Sequence, residues 1–258
     1  MMNIFKQLYK SMYSPKDIAF YRFQGIGKTI LYVFLLTFIS ILPTFYHFSV
    51  AINTGLEAAE QIIRKELPDF AIKNGSLETD TNMPVTIKRD DFSIIIDPTG
   101  SVSQEDLADM GNAFGFLKDD FALAAGGRVQ SYSYAMLDNS TLAKQDFVDF
   151  ITAMDGANYI ILPIVFFFIL LVSSAMKFIE VSILAVMGIM LKNMGGRRLN
   201  YGHLWRMAAY SVTISTIFFT IMEAMKTVVP SGFLINWLVS AIVLYLAVKE
   251  TPAPKKAQ

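Results

Sequence analysis

The stretch of sequence that decides the fold is residues 159–191, YIILPIVFFFILLVSSAMKFIEVSILAVMGIML. This run holds 33 residues, and its charged members are Lys177 and Glu180. A helix rises about 1.5 Å per residue, so the run is long enough to cross a hydrocarbon core about 30 Å thick. The chain is therefore predicted to be an integral membrane protein.

The composition of the whole chain agrees with this prediction. The 258 residues are 53% hydrophobic and 13% aromatic, which is too apolar for one soluble domain of ordinary surface-to-volume ratio. The chain has no cysteine. A disordered protein, a disulfide scaffold and a cysteine-ligated metal site are therefore excluded.

The run at 159–191 is expected to cross the membrane once, because the 11 residues after Glu180 are too few to span it again. It is either one long tilted helix or a span followed by a segment along the inner interface. Residues 29–52 form an earlier apolar run, for which a cleaved signal peptide is a competing interpretation because a small-residue cleavage site lies at 49–51. The 28 residues before that run are too long for a usual signal-peptide start, which favours a retained helix.

The predicted fold is an α-helical polytopic membrane protein with four transmembrane helices and a small α+β extracytoplasmic domain between helices 1 and 2. Its segments are a cytoplasmic amphipathic segment (1–28), helix 1 (29–52), the extracytoplasmic domain (53–157), helix 2 with an inner-leaflet extension (158–191), a cytoplasmic basic loop (192–206), helix 3 (207–225), helix 4 (228–248) and a cytoplasmic tail (249–258).

The orientation follows from how the charges are distributed along the chain. Residues 52–157 hold eighteen acidic and eight basic residues, whereas the short flanks of the apolar runs hold twelve basic and two acidic residues. Short loops rich in Lys and Arg stay on the cytoplasmic side. Both termini are therefore expected inside the cell membrane, and residues 52–157 outside.

Residues 3–13 have an amphipathic helical pattern, with Ile4, Phe5, Leu8, Tyr9 and Met12 on one face. Such a helix is expected either to lie in the anionic inner interface or to pack as a plain helix on the bundle. The Ser-Pro pair at 14–15 is expected to end it.

The extracytoplasmic domain is predicted to mix short helices and strands. A helix at 53–66 continues the first span outward, and Asn74-Gly75 is a hairpin turn. Ser103 and Asp106 are typical of a capping box. The further predicted elements are strands at 70–73, 85–88, 92–96 and 129–136, a helix at 104–121, and a helix from Ser140 to Met154.

No constellation for catalysis, cofactor binding or metal binding is predicted, so the chain is not expected to be an enzyme. Asp97, before Pro98-Thr99-Gly100, is expected to be a turn residue. The acidic pairs at 90–91, 105–106 and 119–120 do not form a calcium loop and are expected to be solvated. His47 lies inside the first span and His203 in the basic loop, and two isolated histidines do not suggest a zinc site. Neither lies in the extracytoplasmic domain, where the nucleophile of a catalytic triad would face its substrate.

The candidate functional residues within the membrane are Lys177, Glu180 and Glu223. The first two are three residues apart and share a helix face, and ionisable groups in a bilayer suggest function. The alternative is that they extend to the inner headgroups. Glu223 has the same relation to Lys226 at the outer end of helix 3. Hydrogen-bonded packing of the last two helices is expected from Thr213, Thr216, Thr220, Asn236 and Ser240.

Several short stretches resemble a known family. They are NIFK (3–6), SPKD (14–17), GIGKT (25–29), LPDF (67–70), NG (74–75) and IDPTG (96–100). Together they resemble a family of Bacillus-type membrane proteins known as domain of unknown function 1189. Residues 195–201 and 203–206, GGRRLNY and HLWR, are also similar to the Yip-type membrane superfamily.

The family resemblance implies a Gram-positive cell membrane and no established activity, although some relatives carry a maltodextrin-utilisation label. The expected function is a non-catalytic accessory or scaffold protein that binds other membrane or envelope components through its extracytoplasmic domain. The alternative is a transporter or transporter subunit, which a continuous polar cavity in the bundle would favour. The expected partners are the lipid bilayer and other membrane proteins, not nucleic acid.

The topology can be tested in this cysteine-free chain with single cysteines at Lys118 and Lys255. An impermeant thiol reagent applied to intact cells is expected to label the first and not the second, because residues 52–157 are predicted outside and the tail inside. Labelling at Lys255 without labelling at Lys118 would overturn the topology.

Overall fold

The computed structural model describes residues 3–89, 92–137 and 141–252 and divides into two compact units. We call residues 1–50 and 160–258 the membrane unit, and residues 51–159 the sheet module. The helices are α1 (Ile4–Ser11), α2 (Pro15–Tyr21), α3 (Ile26–Lys65), α4 (Gln104–Asp109), α5 (Lys144–Met194), α6 (Tyr201–Ser211), α7 (Thr213–Ala224) and α8 (Gly232–Lys249).

Among the described residues, four helical segments are long and apolar enough to cross a membrane. They are α3, α5, the consecutive helices α6 and α7, and α8. The shortest, α8, has 18 residues and therefore extends about 27 Å at 1.5 Å per residue. The prediction of four long apolar helices is confirmed, and it fits a membrane protein.

Two of these helices extend well beyond the predicted spans. Helix α3 runs without interruption through 29–52 and through the helix predicted at 53–66. Helix α5 covers 158–191 as one continuous helix of 51 residues, so the sequence 159–191 forms a single long helix. It begins at Lys144, whereas the predicted start at Ser140 lies outside the described residues.

The third apolar run differs from its prediction at its start and in the middle. Helix begins at Tyr201, within the segment predicted as a basic loop, and breaks at Val212. The Val212 carbonyl accepts the Ser215 hydroxyl at 3.0 Å, the Thr216 hydroxyl at 2.7 Å and the Thr216 N–H at 3.0 Å. Hydroxyl bonds of this kind to the preceding turn bend helices. The run is therefore two helices where one was predicted.

The N-terminal segment forms two helices and not one. Ser14 caps α2 and Pro15 occupies its first turn, where a missing N–H costs nothing. Helix α1 buries Gln7 and Ser11, while Phe5 and Tyr9 are more than 60% exposed. The helix thus packs through a partly polar face and leaves aromatic side chains uncovered.

The sheet module contains two sheets. Strands β1 (Phe70–Lys73), β2 (Ser76–Thr79) and β8 (Leu142–Ala143) form a three-stranded sheet in the order β2-β1-β8. The other strands form a five-stranded sheet in the order β3-β4-β5-β6-β7. They are β3 (Val85–Lys88), β4 (Ser93–Ile96), β5 (Ala113–Phe116), β6 (Asp120–Ala125) and β7 (Arg128–Ser133).

Local turn and cap predictions in this module are confirmed, but one predicted helix is wrong. Asn74 and Gly75 both have positive φ and join β1 to β2. The capping box of Ser103 and Asp106 is present. Helix α4, however, ends at Asp109 instead of continuing to 121, because Gly111 adopts φ 83° and the chain then pairs with β4 in parallel as β5. Likewise, the strand predicted at 129–136 ends at Ser133.

Asp97 is buried and organises the turn after β4, as predicted. Its carboxylate accepts the Thr99 N–H at 2.9 Å, the Thr99 hydroxyl at 2.6 Å and the Val102 N–H at 2.7 Å. Burial alone would raise the pKa of Asp97, but these bonds to the ionised form outweigh burial and lower the pKa below its ordinary value. The ionised carboxylate therefore stabilises the folded module.

Asp97→Asn is expected to lower the free energy of unfolding of the module by about 1–2 kcal/mol near pH 7. Because the folded-state pKa is lowered, the stabilisation is present above the unfolded-state value of about 3.9 and is lost as pH falls through the folded value. Pulse proteolysis in urea should therefore show that the free energies of unfolding of wild type and variant become equal at acidic pH. The exposed Asp109→Asn is the control, and a pH-independent difference would contradict the prediction.

Candidate functional site

The membrane unit is densely packed at one end. Fully buried side chains of α3, α5, α6 and α8 meet there, among them Tyr32, Leu184, Leu204 and Leu244. Gly188 allows the close approach, since a Cβ at this position would lie 3.2 Å from a Leu204 methyl and 3.3 Å from a Leu244 methyl. We call this the packed end, and the opposite end, where residues 225–231 join α7 to α8, the turn end.

A polar network lies where the dense packing stops. The Lys177 ammonium donates to the Glu180 carboxylate at 2.8 Å and to the Thr216 hydroxyl at 3.2 Å. The Asn236 amide donates to the second Glu180 oxygen at 2.7 Å. One ion pair on α5 is thus tied to α7 and to α8.

The members of this ion pair are largely removed from solvent. The Lys177 and Glu180 side chains are 16% and 14% exposed. An isolated charge at the centre of a membrane costs roughly 2.5–3.5 kcal/mol on insertion scales, and pairing with further hydrogen bonds offsets that cost. Lys177 and Glu180 are therefore paired with each other and largely covered by neighbouring helices.

A cavity of about 620 Å³ adjoins the network at the turn end. Lys177, Thr216 and Asn236 line it. Glu180 accepts from Lys177 and Asn236, and Thr216 accepts from Lys177. Further polar lining comes from α3, α7 and the α7–α8 turn, namely Ser40, Thr44, Thr220, Glu223 and Thr227. The cavity therefore offers hydroxyl, amide, ammonium and carboxylate groups to one volume.

The three threonines of the third helix that were expected to pack by hydrogen bonds lie in two different environments. Thr213 is fully buried at the packed end, where its hydroxyl bonds Tyr32. Thr216 and Thr220 line the cavity. Ser215, which was not among the predicted residues, bonds Ser240 of α8 at 2.9 Å. Of the residues predicted to join α7 to α8 by hydrogen bonds, Ser240 does so, whereas Asn236 bonds Glu180 of α5.

Glu223 and Lys226 form no ion pair among the described residues. Glu223 is exposed and lines the cavity near its rim. The backbone carbonyl oxygen of Glu223, and not its carboxylate, lies 3.2 Å from His47 Nε2. Lys226 instead adopts φ 52° in the turn. Glu223 is thus brought to the same cavity as Lys177 but not into its network.

Within the described residues, no three His, Asp or Glu side chains come together in a group that could hold a metal ion. Asp106 serves the α4 cap, and Asp119 accepts a hydrogen bond from Ser76. The pair at 90–91 lies outside the described residues.

The ion pair can be tested by a double-mutant cycle. Lys177→Met is expected to lower the melting temperature in detergent because it leaves Glu180 without its cation. The double variant with Glu180→Gln is expected to recover part of the loss, with a coupling of about 1–2 kcal/mol. Glu223→Gln is the matched control and should be nearly silent. Additive, near-zero effects would contradict a network that stabilises the bundle.

Comparison with known proteins gives one family. No curated protein and no solved structure matches the chain at a significant level. None of the comparisons supports the resemblance of residues 195–206 to the Yip-type superfamily. A family model described as a protein of unknown function, DUF1189, matches residues 5–248, nearly the whole chain, and the chain belongs to that family.

Proposed function

We propose that the membrane unit binds a small polar solute in the cavity beside Lys177, and that the protein acts as a transporter or transporter subunit. The observation that carries the proposal is the meeting of a hydrogen-bonded ion pair and a polar cavity between apolar helices. A cavity of about 620 Å³ lies within the range of about 300–1,000 Å³ typical of small-molecule sites.

The lining indicates the chemistry of the solute. Lys177 and Glu180 neutralise each other, and Glu223 adds one carboxylate to the lining. What remains available are the third ammonium N–H of Lys177, the hydroxyl of Thr44, the amide of Asn236 and the Glu223 carboxylate. Thr220 can only accept, because its hydroxyl already donates to the Thr216 carbonyl at 2.7 Å. A neutral, hydroxyl-rich solute or a zwitterion matches these groups best.

The packing of the membrane unit supports access from one side. The packed end is filled by buried side chains, whereas the cavity lies at the turn end. In the proposed topology, the sheet module and the α7–α8 turn are extracytoplasmic and both termini are cytoplasmic. A solute would then enter from outside and meet the ion pair at the floor of the cavity.

An accessory role through the sheet module is the second candidate. It is favoured by β7, an edge strand of the five-stranded sheet whose residues are mostly exposed, including Tyr132 at 53%. An exposed edge can add a strand from another protein. This role does not require water or solute in the membrane cavity.

Cysteine accessibility separates the two candidates. Thr220→Cys, which faces the cavity, is expected to react with a small charged thiol reagent added to the turn end in proteoliposomes. Ser240→Cys is the matched control, because Ser240 is 1% exposed and bonds Ser215. Its reaction is expected to be at least about tenfold slower.

The solute is sought by protection of Thr220→Cys with a panel of sugars, maltodextrins, polyols and zwitterionic amino acids. A bound solute is expected to slow labelling, and Asn236→Leu is expected to abolish that protection. A Thr220→Cys that labels no faster than Ser240→Cys would overturn solute binding and leave the accessory role. Labelling without protection by any panel member would argue against the neutral and zwitterionic solutes.

A further inference from the structure

A second polar cluster lies at the packed end, where α2 meets α6. The Arg22 guanidinium sits 4.2 Å from the centre of the Phe23 ring, and that ring lies 5.9 Å from the His203 ring. Arg206 donates to the Arg22 carbonyl at 3.4 Å and to the Gly202 carbonyl at 3.1 Å. The Arg22 guanidinium itself donates to the Ala19 carbonyl. Arg22, His203 and Arg206 thus lie at the same junction between the end of α2 and the start of α6.

The positive charge of this cluster has no ion-pair partner among the described residues. Neither Arg22 nor Arg206 forms an ion pair with any carboxylate in the part of the chain that the structure describes. Two guanidinium groups near one another without an acidic partner repel each other, so an added anion would relieve the repulsion.

The same cluster contains polar atoms with no hydrogen-bond partner. Arg206 Nε and His203 Nδ1 are both buried and unpaired within the described residues. A buried donor without an acceptor typically costs about 1–3 kcal/mol, so an acceptor placed beside it stabilises the fold. The cluster therefore lacks both a negative charge and hydrogen-bond acceptors, and a single oxyanion supplies both.

We propose that Arg22, His203 and Arg206 bind a phosphate group. Guanidinium groups match phosphate oxygens in pairs, and two of them from different elements would enclose such a group. Phe20 and Phe23, which flank Arg22, are 64% and 66% exposed, as expected of aromatic side chains at a membrane interface. The phosphate is carried either by a phospholipid headgroup or by a soluble phosphorylated compound.

The site is independent of the solute cavity, since none of its residues lines that cavity. It also differs from a general attraction of basic residues to anionic lipid, because it depends on Arg22 and Arg206 in particular. Arg198, an exposed residue of the same basic stretch, provides the comparison.

The test uses the full-length protein, purified in a neutral detergent without phospholipid, with its melting temperature followed against probe concentration. The probes are phosphatidylglycerol, a diacylglycerol glycolipid that lacks phosphate, and inorganic phosphate compared with chloride at equal ionic strength. At least one phosphate-bearing probe is expected to stabilise the protein saturably, and the glycolipid and chloride are not. Arg22→Gln and Arg206→Gln are each expected to weaken binding about tenfold, and Arg198→Gln less than about twofold.

The probes also identify the source of the phosphate. Stabilisation by phosphatidylglycerol alone assigns it to a lipid, and stabilisation by inorganic phosphate assigns it to a soluble compound. If Arg206→Gln does not fold, Arg206→Lys keeps the charge but loses the paired geometry, and Arg22→Gln tests the other element. Stabilisation by no phosphate probe, wild-type affinity in Arg22→Gln, or an equal loss in Arg198→Gln would overturn the proposal.

Discussion

The arrangement of the membrane unit depends on keeping Lys177 and Glu180 paired between apolar helices. Each charge would be costly alone in a medium of low polarity, and the pair is stable there only when its remaining donors and acceptors are also occupied. Thr216 and Asn236 meet that requirement from α7 and α8. The ion pair on α5 therefore constrains where the last two helices can lie.

Sequence reasoning found the features that depend on neighbours along the chain. The four apolar helices, the Ser103 cap, the Asn74-Gly75 turn and the shared face of Lys177 and Glu180 all follow from local spacing. The partners Thr216 and Asn236 lie 39 and 56 residues from the ion pair, so only the packing of helices brings them to it. Distant pairing also explains why the helix predicted at 104–121 was too long. Strand β5 forms by parallel pairing with β4, and a local sequence pattern carries no information about that pairing.

The Lys177–Glu180 network and the Arg22–Arg206 cluster differ in whether their charges have partners. At Lys177 the charge is balanced and the polar atoms are bonded, which suits a site that must stay intact without ligand. Within the described residues, no carboxylate pairs with Arg22 or Arg206, and Arg206 Nε and His203 Nδ1 are buried without a partner. The sequence pattern marked the first cluster because a charged pair within an apolar run stands out. It missed the second because Arg22 and Arg206 belong to the basic flanks of the apolar runs, whose positive charge the predicted topology already accounts for.

The distribution of small and large side chains accounts for why a cavity lies at one end. Helices without a hydrophobic driving force between them pack closely only where small residues let their backbones approach. Gly188, Ala185, Ala208 and Ala247 provide such positions at the packed end. Toward the turn end, the large side chains of Phe219 and Phe233 border the cavity together with its polar residues. The close backbone approach seen at Gly188 is not repeated beside Lys177, so a space remains there whose polar lining suits water or a polar solute better than an apolar side chain.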